Sequence, residues 1–220
     1  MTKINSISFT GKPIKSFEAF SEQFIKKIKR GQNSSSSEFT KSLSGFSDCF
    51  ETNRDAMNKK SKKFAEALVG LKKDNLAGIV YSFLIKINHG NSRLVEDFAT
   101  NALKIAIRTK DSFHIMARAN DLREIYQVVP PETERFIKIL YDEKHALNDI
   151  IKNYDKFQNE YKNLKPKENY QILLADVNFD IGKRHKDKNI SKEAFLDAKS
   201  IYESFGLDEK AKRVEMYIKN

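Results

Sequence analysis

Hydrophobic residues near the start of the chain recur at three- and four-residue intervals, the spacing of one face of an amphipathic helix. The pattern predicts a helix over residues 16–30, with Ser16 as its N-cap, cationic side chains in its last turn and Gly31 as its stop. The apolar positions of this helix are Phe17, Phe20, Phe24, Ile25 and Ile28.

The stretch GQNSSSS over 31–37 lacks apolar residues and predicts a flexible linker. A second apolar stripe runs from Phe39 to Leu71 and is interrupted on the way, so we predict two or more helices with a break near residues 52–58. Residues 76–87 are apolar on most sides, which indicates a helix buried in the centre of a domain.

The rest of the chain predicts six further helices. Their approximate ranges are 92–109, 112–128, 132–164, 168–186, 192–205 and 209–218. Asp111 is placed to cap the second of them, Gly206 to end the fifth and Asp208 to cap the sixth. Eight Gly and four Pro in 220 residues are too few to separate the many short strands of a sandwich or barrel. The predicted fold class is therefore all-α.

Residues 99–126 align without a gap with residues 175–202, and eight of the 28 aligned pairs are identical. Each copy has one helix, a charged Arg-x-Lys-Asp connection and a second helix that ends in Ile-Tyr, the pattern of a repeated helical hairpin. The identical pairs are Ala99 with Ala175, Ile105 with Ile181, Arg108 with Arg184, Lys110 with Lys186, Asp111 with Asp187, Asp121 with Asp197, Ile125 with Ile201 and Tyr126 with Tyr202.

The first copy carries Phe98, Ala102 and Ile105 at the large, small and large positions of a tetratricopeptide first helix. The second copy carries Ala198 and Tyr202 at the Ala-x-x-x-aromatic step of that family's second helix. Over 92–220 the chain thus resembles tetratricopeptide repeats. The resemblance implies stacked hairpins whose first helices line a concave, partner-binding face.

This resemblance and the linker together predict the domain organisation. An N-terminal region over 1–37 comprises a flexible arm, the amphipathic helix and the Ser-rich linker. An all-helical domain follows over 38–220, with repeat-like hairpins at 92–128 and 168–205 stacked as a short tetratricopeptide-like α-solenoid.

Net charge is +10, and its distribution is uneven. Residues 1–89 hold 16 Lys and Arg against 8 Asp and Glu, whereas residues 90–220 hold 24 against 22. Lys outnumbers Arg by 31 to 9, and Arg is the side chain suited to bidentate phosphate and base contacts. The excess therefore indicates a solvated surface more than a nucleic-acid site.

The sequence contains no recognisable constellation of catalytic residues. The single Cys49 excludes a disulfide framework and a CxxC site, and no positive group beside it favours a thiolate. The chain contains no HExxH, GxSxG, GxxxxGK[ST] or GxGxxG motif. We predict that the protein is not an enzyme and holds no cofactor.

Several Asp and His residues have the spacing of metal ligands or of acid and base pairs on one helix face. The spacing D-x-x-H occurs at Asp111 with His114 and at Asp142 with His145, and Asp149 lies one turn further on. Asp111 is better explained as a helix cap and the other two carboxylates as a solvated helix face, so no metal site is predicted. A further carboxylate pair, at residues 176 and 180, is assigned to a helix surface.

The predicted function is a non-catalytic scaffold or adaptor that binds a peptide or protein partner in a groove. The candidate residues for an acidic or C-terminal peptide are Asn101, Lys104, Arg108 and Arg184. Both Arg residues also end their helices, where a cation stabilises the helix dipole by about 0.3–1 kcal/mol without any ligand. The identity of the partner and the oligomeric state stay open.

An alternative function is the binding of nucleic acid or an anionic surface through the basic residues of 1–89. The residues that would carry it are Lys26, Lys27, Lys29, Arg30, Lys59, Lys60, Lys62 and Lys63. In this alternative the helix over 16–30 lies on an anionic membrane or docks in a partner's groove, whereas otherwise its Phe residues pack on the domain.

The sequence predicts neither a cleavable secretory signal nor a spanning helix. The longest nearly unbroken apolar stretch, 76–85, is about half of the roughly 20 residues that a spanning helix needs. A cytoplasmic location is expected, with export through a non-cleaved N-terminal segment left open.

Overall fold

The computed structural model describes residues 13–32, 35–128, 133–161 and 163–219. Within these ranges the chain forms eleven helices and no strand, which confirms the all-α prediction. The predicted N-terminal arm up to residue 12 and the predicted helix start at residue 132 lie outside the described residues.

The helices are numbered in chain order. They are α1 (Pro13–Lys29), α2 (Ser36–Ser44), α3 (Ser47–Gly70), α4 (Asp74–Ile87), α5 (Ser92–Thr109), α6 (Ser112–Val128), α7 (Thr133–Lys152), α8 (Tyr154–Glu160), α9 (Lys167–Arg184), α10 (Lys188–Ser204) and α11 (Asp208–Lys219). No helix among the described residues is long and apolar enough to cross a bilayer.

Two compact units make up the chain, unit 1 over residues 1–105 and unit 2 over residues 106–220. The division falls inside α5. In unit 1, α1 and α4 pack against α3, and α2 packs against α4. The amphipathic helix that the sequence assigned to the region 1–37 is therefore part of the packing of unit 1.

Phenylalanine rings form the core of unit 1 around α1. Phe17 is fully buried, and its ring centroid lies 5.2 Å from that of Phe46 and 6.0 Å from that of Phe64, both edge to face. Phe24 lies 4.6 Å from Phe39 on α2. Edge-to-face and tilted aromatic pairs add to the free energy of burial, so the aromatic face of α1 is held inside the unit.

Local chemistry explains where the helices of unit 1 begin and bend. The predicted break near 52–58 is confirmed, because Asn53 has φ −155° and ψ 64° within α3. Two predictions are wrong. Ser35 accepts a hydrogen bond from the Glu38 amide as N-cap of α2, so the linker does not extend to residue 37. Helix α1 begins at Pro13, a favourable first-turn residue, and Ser16 lies inside it.

In unit 2 each helix packs against other helices that are near it in the chain. Helix α7 packs against α6 and α9, α9 packs against α10, and α10 packs against α11. The predicted helix over 132–164 is wrong in its extent, because the chain turns at Asn153 and starts the short α8. The turn places Phe157 edge to face on Phe113, with ring centroids 5.1 Å apart. Apolar spacing continues across the turn, which is why the sequence does not reveal it.

In both copies of the repeat an Asp side chain caps the start of the second helix. Asp111 accepts a hydrogen bond from the His114 amide at 3.1 Å, which confirms its predicted capping role. Its repeat partner Asp187 accepts from the Asn189 amide at 2.8 Å and starts α10 four residues earlier than predicted. Gly206 follows the end of α10 with φ +66°, the left-handed stop that the sequence predicts. Asp208 is the first residue of α11 instead of its cap.

Gly182 sets the approach of α9 to α10. A Cβ atom at this position would lie 2.6 Å from the ring of Phe195, whereas a Cβ at Gly78 inside α4 meets nothing within 4 Å. We expect Gly182→Ala to destabilise unit 2 by about 1–3 kcal/mol through overpacking. The matched Gly78→Ala change should stabilise its helix by up to about 1 kcal/mol. Urea unfolding followed by far-UV circular dichroism measures both, and equal effects of the two changes would contradict the close contact.

Candidate functional site

The four residues predicted to bind a peptide do not form one group within either unit. Asn101 and Lys104 belong to unit 1, and Arg108 and Arg184 belong to unit 2. Asn101 is half-buried, and its side-chain amide donates to the backbone carbonyl of Asp97 at 2.8 Å. It is occupied within its own helix. Lys104 and Arg108 are exposed.

Arg184 packs on the core of unit 2. Its guanidinium carbon lies 4.5 Å from the ring centroid of Phe136, close enough for a cation–π interaction. Its Nε is buried and makes no hydrogen bond within the described part of the chain. This placement gives Arg184 a packing role at the end of α9.

The predicted anionic-surface residues fall into two groups. Lys60 is ion-paired with Glu18, and the Lys62 ammonium lies 2.7 Å from a carboxylate oxygen of Asp97. One group is Lys59, Lys60, Lys62 and Lys63 on α3, and carboxylates lie on both sides of it. Two clefts of about 260 and 280 Å³ place Asp55 and Asp97 beside Lys59 and Lys62, and Glu18 and Glu22 beside Lys60 and Lys63. Residues 59–63 are thus close to neutral as a surface.

The basic end of α1 is different. Three Lys residues lie in its last turn and Arg30 follows directly, and all four side chains are exposed. Over the described ranges none of them is ion-paired with a carboxylate. The four residues are Lys26, Lys27, Lys29 and Arg30.

A groove of about 380 Å³ lies in unit 2 between the start of α6 and the middle of α7; we call it the α6–α7 groove. Its apolar wall includes Ile107, whose exposed fraction of 41% is high for an isoleucine, together with Ile115. Its full lining is Ile107, Lys110, Ser112, Ile115, Asp142, His145, Ala146 and Asp149.

Hydrogen bonds fix the polar wall of the α6–α7 groove. Ser112 donates from its hydroxyl to Asp149 Oδ2 at 2.6 Å, and the Asn153 side-chain amide donates to Asp149 Oδ1 at 2.8 Å. Burial raises the pKa of Asp142, and the nearby charges of Lys138 and His145 oppose that shift. The groove therefore offers a short apolar strip beside oriented carboxylates and an imidazole.

The spacing of Asp and His on α7 does not become a metal centre. Asp142, His145 and Asp149 share the groove wall, yet no three Asp, Glu, His or Cys groups of the described ranges are arranged to hold a metal ion. Asp111 is engaged elsewhere, because its carboxylate lies 2.7 Å from Nδ1 of His114. This hydrogen bond lowers the pKa of Asp111.

Sequence reasoning missed a buried charged group in unit 2, which we call the Arg123 cluster. It consists of Arg123 on α6, Glu143 on α7 and Asp180 on α9. The Arg123 Nε lies 3.2 Å from Glu143 Oε2, and its Nη1 lies 3.3 Å from Asp180 Oδ2. The side chains of the three residues are 8%, 0% and 7% exposed, so all of them are removed from water.

The assignment of the carboxylates at 176 and 180 to a helix surface is wrong for Asp180, whereas the Asp176 side chain is 33% exposed. Asp180 is buried against Arg123, and Asp176 accepts hydrogen bonds from the Tyr202 hydroxyl at 2.6 Å and from the Lys210 ammonium at 2.8 Å. Burial, with the hydrogen bond to Asp176, raises the pKa of Tyr202. These contacts tie α9 to α10 and α11.

A signal for the Arg123 cluster was present in the sequence. Apolar residues of α7 recur at spacings of four and three, and position 143 falls on that stripe while carrying a carboxylate. The stripe is Phe136, Leu140, Glu143, Leu147 and Ile150. An ionisable residue on a core stripe predicts a buried partner of opposite charge, but it does not say which.

Comparisons with known proteins add no identification. No family model, no curated protein and no solved structure matches the chain.

Proposed function

We propose that this protein is a non-catalytic interaction module, a scaffold or adaptor that holds an extended peptide segment of a protein partner in the α6–α7 groove. The observation that carries the proposal is the groove itself, in which the exposed Ile107 and the half-buried Ile115 lie beside fixed polar groups. Its volume of about 380 Å³ is within the range of small recognition pockets and suits one or two peptide side chains.

The helical arrangement of unit 2 supports a tetratricopeptide-like reading of this module. Neighbouring helices pack in chain order from α9 to α11, as in a solenoid of hairpins. Asp111 and Asp187 cap the second helices of the two repeat copies, and Tyr126 and Tyr202 are both buried at the ends of those helices. Lys104, exposed in unit 1, and Arg108, exposed in unit 2, each stay a candidate contact for an acidic peptide. Asn101 donates to the Asp97 carbonyl, and Arg184 packs on Phe136.

The groove can be tested with a matched pair of substitutions. Ile107→Ser removes an exposed apolar side chain from the groove, and Leu196→Ser removes one from α10 that is 48% exposed and does not line it. In a pull-down from native lysate at about 300 mM salt we expect the first change to reduce partner capture at least tenfold and the second to leave it unchanged. Circular dichroism checks that both variants fold.

Equal capture by the Ile107→Ser and wild-type chains would contradict binding in the groove. Capture that disappears for all chains between about 50 and 300 mM salt would contradict a shape-driven interaction, because surface electrostatics is screened over that range.

A second candidate function is anionic-surface binding, favoured by the exposed cations at the end of α1. If four phosphates are neutralised there, affinity for a DNA duplex should fall by roughly 10²–10³ between about 50 and 300 mM salt. Changing Lys26, Lys27, Lys29 and Arg30 together to Gln should then abolish binding. Changing Lys60 and Lys62 to Gln is the control, since both are paired with carboxylates. Binding that resists the fourfold change would exclude this surface.

A further inference from the structure

Helix α7 presents different chemistry on two faces. Asp142, His145 and Asp149 line the α6–α7 groove, while Glu143 points into the interior between α6 and α9. The same helix therefore forms a wall of the groove and carries a fully buried carboxyl group. A change in the charge of that carboxyl therefore changes the packing of α7 and the position of the groove wall.

Glu143 lacks the hydrogen bonds that an ionised carboxylate needs. Neither carboxyl oxygen accepts a hydrogen bond from the described residues, and Arg123 Nε, although 3.2 Å away, is not aligned to donate one. The contact is an ion pair without hydrogen-bond geometry. A buried charge in this situation is costly, because the lost hydration is replaced by a single attraction.

Charges on the neighbouring helices also oppose ionisation. Arg123 on α6 is the cation that faces Glu143, and it is shared with Asp180 on α9. Asp180, Asp176 on α9 and Glu124 on α6 all repel a negative Glu143. Lys183 offsets part of the charge of Asp180 from 3.5 Å. Burial is the largest cause that raises the pKa of Glu143, to about 7, with Arg123 opposing the shift.

We infer that the packing of α7 against α6 and α9 depends on the protonation of Glu143 near neutral pH. The wall of the α6–α7 groove, which α7 forms, depends on it as well. A neutral Glu143 lets α7 pack closely against α6 and α9. Loss of the proton places an additional negative charge beside Asp180 and loosens that packing. The role of the groove rests on the proposed function, but the motion of α7 does not depend on a partner.

The sign follows from proton linkage. Between the ordinary pKa of 4.5 and a folded-state pKa of about 7, the packed state holds the Glu143 proton and the opened state does not. Packing of α7 is therefore favoured at low pH, and the advantage is lost as pH rises to about 7. From pH 6 to pH 8 the opening constant of α7 should increase about tenfold.

Amide hydrogen exchange of the full chain tests the inference without a partner. After correction for intrinsic exchange rates, protection of α7 should fall about tenfold from pH 6 to pH 8 in the wild type. The change Glu143→Gln should remove this dependence. Glu134→Gln, an exposed change on the same helix, should keep it. Glu143→Gln retains every other ionisable group of the chain, so a pH dependence that another group carries would persist in this variant.

An equal pH dependence in the wild type and in Glu143→Gln would overturn the inference. If Glu143→Gln does not fold, carboxyl chemical shifts of the wild type decide instead, and titration of Glu143 near 4.5 overturns it. Failure of the groove to bind any peptide would refute the proposed function and leave this result unaffected.

Discussion

Replacing Arg123 with Met will destabilise unit 2 by about 3–5 kcal/mol at pH 8, because it leaves Glu143 and Asp180 buried without the cation they share. At pH 5 the loss should be smaller, since Glu143 can then bind a proton, consistent with the raised pKa of its carboxyl. Urea unfolding followed by far-UV circular dichroism at the two pH values measures the difference.

A double variant separates lost charge balance from lost packing. Arg123→Met combined with Glu143→Gln leaves one carboxylate, Asp180, which keeps its contact with Lys183 at 3.5 Å. We expect the double variant to be more stable at pH 8 than Arg123→Met alone, a coupling that a double-mutant cycle reports directly. Strict additivity of the two changes would show that Arg123 acts only by filling space.

Replacing Phe17 with Ala will destabilise unit 1 by about 3–5 kcal/mol, the usual cost of removing a large buried ring. Phe17 is fully buried and meets Phe20, Phe46 and Phe64 with ring centroids 5.2–6.2 Å away. Its loss removes contacts between α1 and α3, so α1 should also lose protection against amide exchange. Urea unfolding gives the free energy.

The matched control for Phe17 is Gln23→Ala, an exposed change on the same helix. It should alter stability by less than about 0.5 kcal/mol, as surface changes usually do. If Phe17→Ala were as mild as this control, the aromatic face of α1 would be free in solution. The membrane-surface alternative for α1 would then regain its main support.

The sequence predicts helix positions correctly where capping residues and apolar periodicity agree. The predicted ranges 92–109 and 112–128 coincide with α5 and α6, because Asp111 caps the second helix and the apolar stripes end at its flanks. The prediction failed at Asn153, where neither Gly nor Pro interrupts the chain. There the packing of α8 on Phe113 decides the turn, and that contact joins residues distant in sequence.

The candidate site could be predicted only in part from the sequence. Asp142, His145 and Asp149 were recognised as one helix face, but their neighbours in the groove come from the segment 107–115. Asp180 was assigned to the surface because like charges one turn apart on a Lys-rich helix usually form a solvated face. Its burial depends on Arg123, which lies 57 residues away in the chain.

Local patterns in the sequence were enough to predict the all-α class, most helix boundaries, the bend near Asn53 and the cap at Asp111. These features follow from periodicity and capping within short windows of chain, where the interacting groups are few residues apart. Three features followed only from the packing of distant segments: the burial of the aromatic face of α1, the sharing of Arg123 between Glu143 and Asp180, and the groove between segment 107–115 and α7. Each of these depends on which distant segments pack together, and many partners satisfy the same local pattern.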